Sequence, residues 1–408
     1  MNMNMPQTPS SNKGPLSGVR ILDMATVIAG PFAATLCGDL GAEVTKLELP
    51  ASNDPLRTFA PIKDHHSLYW KVTNRGKQGI TLDVRKSEGK EIFLRMLPSF
   101  DVLVENFRTG TLDQWGLDIN TLHQANPQLI VLRLTGFGQT GPYARRPGFA
   151  RIFEAMSGFT NLTGMADGPP QHMNYPLGDV VSGLFGAFSI ATALVESSRS
   201  KDMVGREIDL SATEAMMRLL DPLAVEFDQL NYVRGRTGSR ATYTAPSNIY
   251  KTSDGVWISV VGSSEPIFKR FCSAIGMDEL ANNPKFSNNQ SRLKNLDEID
   301  QIISNWCSSL NFEMLAKALN QHDVPFTKVY DINDVLNDPH FKERNAIIRL
   351  PDEDLGSIPA PCIVPRFSGI PEYIPHSGSK TGAHNISFYS ELGLSNEEIS
   401  KLKASNVI

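Results

Sequence analysis

The chain has 408 residues, more than one ordinary core accommodates, so two domains are expected. It is 41% hydrophobic and 20% charged, and its net charge of -5 gives no reason to expect nucleic acid as a partner. Cys37, Cys272, Cys307 and Cys362 are scattered, without CxxC or metal-ligand spacing, which fits a reduced, cytoplasmic protein with no metal site. Gly, Asp or Lys interrupts every apolar stretch before ~18 residues, so no membrane span is expected.

In chain order, residues 1–13 read as a disordered leader. Residues 19–24 read as a strand, 32–40 as a helix with Pro31 at its first position, and 41–48 as a turn and second strand. This is a βαβ unit. Its first turn lies where open α/β sheets bind ligands, although the glycines do not form GxGxxG. Around a short strand at 74–85, Arg75, Lys77 and Arg85 are open to two readings, a solvated turn or phosphate contacts. Helical periodicity at 86–97 brings Ile92, Phe93, Met96 and Leu97 onto one face. Residues 101–108 and 129–134 read as buried strands, the second running into a Gly-rich loop at 135–142. Alternating strands and helices imply a mostly parallel sheet covered on both faces, an α/β, Rossmann-like large domain at 14–220.

After a strand at 206–210, Ser211 caps a helix, and 221–244 reads as a linker. Residues 245–330 read as a smaller α+β domain, opening with a hairpin turned by Asp254-Gly255. Residues 331–408 read as a return to the large domain, which makes that domain discontinuous. Short strands are expected at 326–330, 346–350 and 362–365. Ser395 and Glu398 form a capping box for a last helix.

The chemistry centres on the stretch 175–179, Tyr-Pro-Leu-Gly-Asp, ahead of an apolar helix. Asp179 is open to two readings. As an N-cap it accepts free N–H groups; as a nucleophile it is a carboxylate that the helix N-terminus keeps ionised. Gly183 and Gly186 suggest close approach of another backbone or a ligand. GxSxG, GxxxxGK[ST], HExxH and Cys/His clusters are absent, and His65-His66 reads as a solvated pair.

These stretches, taken with 18–23, Ala29-Gly30-Pro31, 38–44, Thr81-Leu82-Asp83, 104–108 and 135–142, resemble the class III (CaiB/BaiF-type) CoA-transferases from residue 14 to 408. The resemblance implies the CoA-transferase family III fold in an interlocked homodimer, with the 262–264 loop as the second chain's share of the site. It implies an acyl-CoA substrate, a small carboxylic acid acceptor and no permanently bound cofactor. Asp179 matches the catalytic aspartate, which carries an aspartyl-CoA thioester. Val27 and Ile28 match residues at the nucleotide end of CoA. Leu82, Asp83, Val84 and Arg85 match the adenine and phosphate segment, and Asn106, Phe107 and Arg108 match the loop holding the CoA moiety. Gln114-Trp115 and Leu49 stand where relatives carry basic residues, which shifts the expected phosphate contacts to Arg75, Lys77, Arg85 or Arg108.

Related α-methylacyl-CoA racemases need a His where this chain has Phe149, after Pro147-Gly148, so racemization ranks behind transfer. A CoA-binding protein without turnover is a third reading, opposed by Asp179. Arg145, Arg146 and Arg151 cluster before the aspartate turn. They are either a surface group or, through Arg151 or Arg146, a clamp for the second carboxylate of a dicarboxylic acid acceptor, with succinyl-CoA as donor. Gly148 and Phe149 belong to the same expected substrate segment.

Overall fold

The structure, a computed structural model, describes residues 14–50, 52–199 and 204–408. The expected leader at 1–13 lies outside the described residues. Contacts divide the chain into two units, one of residues 1–159, 172–229 and 345–408, the other of 160–171 and 230–344.

The larger unit is built on six strands: β1 (Arg20–Asp23), β2 (Glu43–Glu48), β3 (Gln78–Thr81), β4 (Val102–Glu105), β5 (Ile130–Thr135) and β6 (Glu207–Ser211). They are hydrogen-bonded in the order β3-β2-β1-β4-β5-β6, and every pairing is parallel. This is the doubly wound order with its switch point between β1 and β4. The helices that position the site are α1 (Ala29–Asp39), α2 (Ser87–Met96), α3 (Ala150–Met156), α4 (Leu177–Arg199) and α5 (Ala212–Arg218).

Alternation along the strands builds two cores, one per face. Ile21, Val44, Val102, Ile130 and Leu132 pack with α1 and with Ile190 and Ala193 of α4. Their neighbours Leu22, Leu103 and Val131 pack with α2 and with Phe388, Tyr389 and Ile399 near the C-terminus. Gly183 and Gly186 do not interrupt α4, which runs for 23 residues and is apolar enough to cross a membrane. Its inward face instead packs on α1: a Cβ at Gly183 would lie 2.7 Å from the Ala29 carbonyl oxygen.

The smaller unit carries an antiparallel sheet of β7 (Ser247–Lys251), β8 (Trp257–Val261) and β9 (Phe326–Lys328), ordered β9-β8-β7. Helices α6 (Glu265–Ala274), α7 (Leu296–Ser309) and α8 (Phe312–Gln321) cover it over Ile258, Val260, Phe271, Ile303 and Leu315. The unit extends beyond the expected 245–330 boundaries. A helix, Pro222–Leu230, occupies the start of the expected linker. Residues 160–171 join this unit because Gly238 donates to the Gly164 carbonyl at 2.9 Å and Arg236 to that of Gly168 at 3.1 Å.

The C-terminal return covers the large sheet rather than extending it. β10 (Ile347–Asp352) and β11 (Gly356–Pro361) form a separate hairpin, while α9 (Asn385–Glu391) and α10 (Asn396–Ala404) close one face. The strand expected at 362–365 therefore lies earlier. Pro359 and Pro361 disguise it, and they are tolerated because β11 pairs on one side alone. The capping box of Ser395 and Glu398 forms as predicted.

Candidate active site

The site starts from the loop after β1. Asp23 is wholly buried, and its carboxylate accepts Ala25 N–H at 3.1 Å and Lys77 Nζ at 2.8 Å. Lys46, also buried, donates to the Ala25 carbonyl and sits 3.5 Å from Asp54. Asn106, one residue beyond β4, accepts Thr26 N–H and donates to the Thr26 carbonyl, each at 2.7 Å. Asp54 accepts Val27 N–H with both carboxylate oxygens, at 3.0 and 3.1 Å. These bonds hold Val27 at a φ of 67°. A β-branched residue pays strain in that region, and such strain persists where surrounding contacts over-determine it.

At this switch point lies a cavity of about 230 Å³ whose lining includes Thr26, Leu49, Phe107 and Trp115 together with the acidic residues Glu48 and Asp54. The Phe107 and Trp115 rings meet edge-to-face at 5.0 Å between centroids. Leu49 and Trp115, the positions lacking the expected cations, thus give the cavity apolar walls.

The expected CoA contacts divide. Val27, Asn106 and Phe107 gather at the switch point. Arg108, just beyond them, is exposed. Ile28, Leu82 and Val84 are buried in the core, so their side chains are closed to a ligand from outside. Asp83 and Arg85 pair with each other at 2.8 Å, which holds the Asp83 carboxyl below its ordinary value. Arg75 and Lys77, expected as phosphate contacts, are buried among internal partners. Arg75 is buried in a two-point pair with Asp39 and donates to the Pro361 carbonyl at 2.7 Å. Lys77 is bound to Asp23, the Pro31 carbonyl and Asn74, and burial pushes its pKa down to about 8. Spacing along the chain could not distinguish these buried cations from solvent-facing ones.

Asp179 is the third residue of α4 and not its N-cap. The residue before it has no room for a side chain: a Cβ at Gly178 would lie 2.8 Å from the Ala150 carbonyl oxygen. The free N–H of Gly178 is accepted at 3.0 Å by Glu154 of α3, a wholly buried carboxylate that also meets His172 Nδ1 at 3.3 Å. Glu154 was invisible to sequence reasoning, and its one signal is a carboxylate between Phe153 and Ala155 on a short helix. Asp179 is itself 8% exposed. Burial, then the Glu154 carboxylate, push its pKa up to about 7. Burial and the Glu154 charge thus oppose the ionising effect expected of the helix N-terminus at Asp179.

In the preceding segment, Gly148 packs against the Phe153 ring, where a Cβ would approach to 2.5 Å. Phe149 is 70% exposed. Arg145 and Arg151 are exposed, and the Arg146 guanidinium lies 5.3 Å from the Tyr143 ring centre. In the smaller unit, Arg292 donates to the Ser263 carbonyl at 2.8 Å and Gly262 N–H to that of Pro246 at 2.9 Å, which fixes the 262–264 loop.

The chain as a whole has counterparts among known proteins. Residues 16–385 match the family described as CoA-transferase family III. The chain belongs to that family. It is a family III CoA-transferase, 37% identical over 97% of its length, and 98% of the relative's, to a succinyl-CoA–D-citramalate CoA-transferase of Chloroflexus aurantiacus. It is 32% identical to a succinate–glutarate CoA-transferase of Agrobacterium fabrum, over 94% of this chain and 96% of the relative. A CAIB/BAIF family protein from Brucella suis has a TM-score of 0.81 and 30% identity, covering 93% of this chain and 99% of that one. The family uses CoA thioesters as substrates, so the expected fold and CoA transfer both hold.

Proposed function

We propose that this CoA-transferase moves CoA from succinyl-CoA to a dicarboxylic or hydroxy acid through a covalent aspartyl-CoA thioester on Asp179. The observation that carries the reading is the seating of Asp179: buried, at the first turn of α4, on a backbone that Glu154 and Ala150 hold in place. An Asp179 carboxylate oxygen attacks the thioester carbonyl and expels CoA thiolate, leaving a mixed anhydride. The thiolate attacks the aspartyl carbonyl and releases succinate. An acceptor carboxylate then attacks the aspartyl thioester and reverses the sequence, so the thioester energy is kept. Relatives named for succinyl-CoA with citramalate and for succinate with glutarate support four- and five-carbon diacids.

In this reading CoA lies at the switch-point cavity, with Val27, Asn106, Phe107 and Arg108 beside it. Phosphate contacts fall to Arg108 and to Arg85, since Arg75 and Lys77 are engaged internally. Arg151, exposed at the second position of α3, binds the acceptor's distal carboxylate. The working form is a homodimer, interlocked as the resemblance implies, with the 262–264 loop of the second chain contributing to the site. The free cysteines support a cytoplasmic location.

The test is peptide mass spectrometry after mixing with succinyl-CoA and trapping with hydroxylamine or borohydride. Modification at Asp179, lost in Asp179→Ala, is expected; an unmodified Asp179 across a panel of acyl-CoAs would reject the reading. Arg151→Ala should raise the KM for the diacid about tenfold or more and leave the KM for the acyl-CoA unchanged.

A further inference from the structure

The strained residue after β1 is held by a side chain that the chemistry above does not use. Asp54 is 2% exposed and lines the switch-point cavity. It caps the turn Pro55–Thr58: its Oδ1 accepts Leu56 N–H at 2.9 Å, while both oxygens accept Val27 N–H. Asp54 is itself anchored. Its own N–H donates to Glu48, the last residue of β2, at 3.2 Å, and the buried Lys46 ammonium lies 3.5 Å from its Oδ2. Leu56 is wholly buried in a cluster with Ile28 and Trp70, and the Val27 side chain packs against that cluster.

Val27 stands apart among residues of its conformation. The other described non-glycine residues at positive φ are Asp, His and Asn, which tolerate that region. A β-branched side chain does not, so an outlier of this kind points to function where contacts enforce it. Released by Asp54, Val27 would return to negative φ, and the chain on one side of it would have to swing. On the C-terminal side Ile28 leads directly into α1, whose Ala29, Ala33 and Ala34 are locked in the core, so the movement falls on Thr26, a wall of the cavity. We infer that Asp54 is a positioning residue for CoA, holding Val27 at positive φ so that the cavity keeps the shape that receives the ligand. The inference rests on the reading that CoA lies at the switch-point cavity.

The test is the Kd for CoA, by titration calorimetry on the full-length protein, with thermal melting alongside. Asp54→Ala is made in the parent and in Val27→Gly, because glycine adopts positive φ unaided. In the parent the substitution should raise Kd about tenfold, since the binding-competent turn becomes a minor conformer. In the Val27→Gly background it should change Kd by less than about twofold, although Tm falls there because the cluster has lost a side chain. Equal effects in the two backgrounds would overturn the proposal, since Asp54 would then act through stability alone. An Asp54→Ala protein that folds in neither background would overturn it for the same reason. Asp54→Asn keeps Oδ1 for both N–H groups and should stay within about threefold of the parent; a tenfold rise would assign the effect to charge and reject the inference. Failure of the underlying reading is separable. Leu49→Trp fills the cavity, so an unchanged Kd in that variant places CoA elsewhere, whereas a raised Kd there with no effect of Asp54→Ala removes Asp54 alone.

Discussion

Asp179 feels two opposing influences. The first turn of a helix favours a carboxylate by about 0.3–1 kcal/mol at exposed positions, while burial beside a second carboxylate favours the acid. The acid form gains more, and the pKa rises to about 7. Only the ionised form attacks a thioester, so kcat/KM should rise with pH through about 7. Glu154→Gln keeps an oxygen for Gly178 N–H and removes the neighbouring charge. It should move that limb to lower pH by roughly 1 unit, with His172, Tyr69 and Tyr175 as the other titratable groups around the turn. The measurement is a pH profile of kcat/KM, and an unmoved limb would show that Glu154 acts through structure alone. Stability carries the matching sign. The native state holds the Asp179 proton to higher pH than the unfolded chain, so stability falls as pH rises from the unfolded value toward 7. Asp179→Asn should therefore melt higher at pH 8, by an amount corresponding to roughly 4 kcal/mol at most. The sequence named the aspartate. Its proton affinity required Glu154, distant by 25 positions and brought in by α3.

At the scale of elements, the Gly178-Asp179 pair has a steric cause. α3 and α4 meet so closely that the Ala150 carbonyl occupies the space a side chain at 178 would need. Gly178→Ala must push the two helices apart at Asp179. It should lower kcat about tenfold or more and cost about 1–3 kcal/mol of stability, read by denaturant titration alongside the exchange assay. A variant with unchanged kcat would mean that the turn tolerates displacement. The loop after β1 follows the same logic. Asn106 and Asp54 hold a valine in a conformation that glycine prefers, and nothing in the pattern Ala-Thr-Val-Ile announces it. β4 and β5 were legible because each is a short buried run rich in Val, Ile and Leu. β11 was not, because two prolines hid a one-sided hairpin arm.

At the scale of the whole molecule, the single chain leaves an apolar surface open. Leu184, Phe188 and Val195 on α4, and Phe149, Ile152 and Met156 at α3, are all exposed. Residues four and seven apart share one helix face, so α4 presents a stripe and not scattered positions. That stripe supports the proposed homodimer. Sedimentation equilibrium should give a mass of about 90 kDa, twice the 44.9 kDa chain, with no dissociation at micromolar concentration. Phe188→Glu should lower soluble yield or activity, because it sets a charge into that face; a fully active monomer would dismiss the dimer.

What the sequence determined by itself is the part written in local pattern. Alternating strand and helix periodicity specified a parallel sheet, turn residues marked its rims, and an ordered set of short motifs specified the family. These signals act within a dozen residues, so they survive in a linear reading. The tertiary structure decided everything that depends on which side of the sheet a charge meets. Arg75 and Lys77 lie in one short stretch with Arg85, yet two are buried partners of Asp39 and Asp23 while Arg85 stays at the surface. Burial is set by the elements that close over a residue, here α1 and the C-terminal return, and their positions are fixed by packing across hundreds of residues. For the same reason the raised proton affinity of Asp179 appears only once the chain is folded.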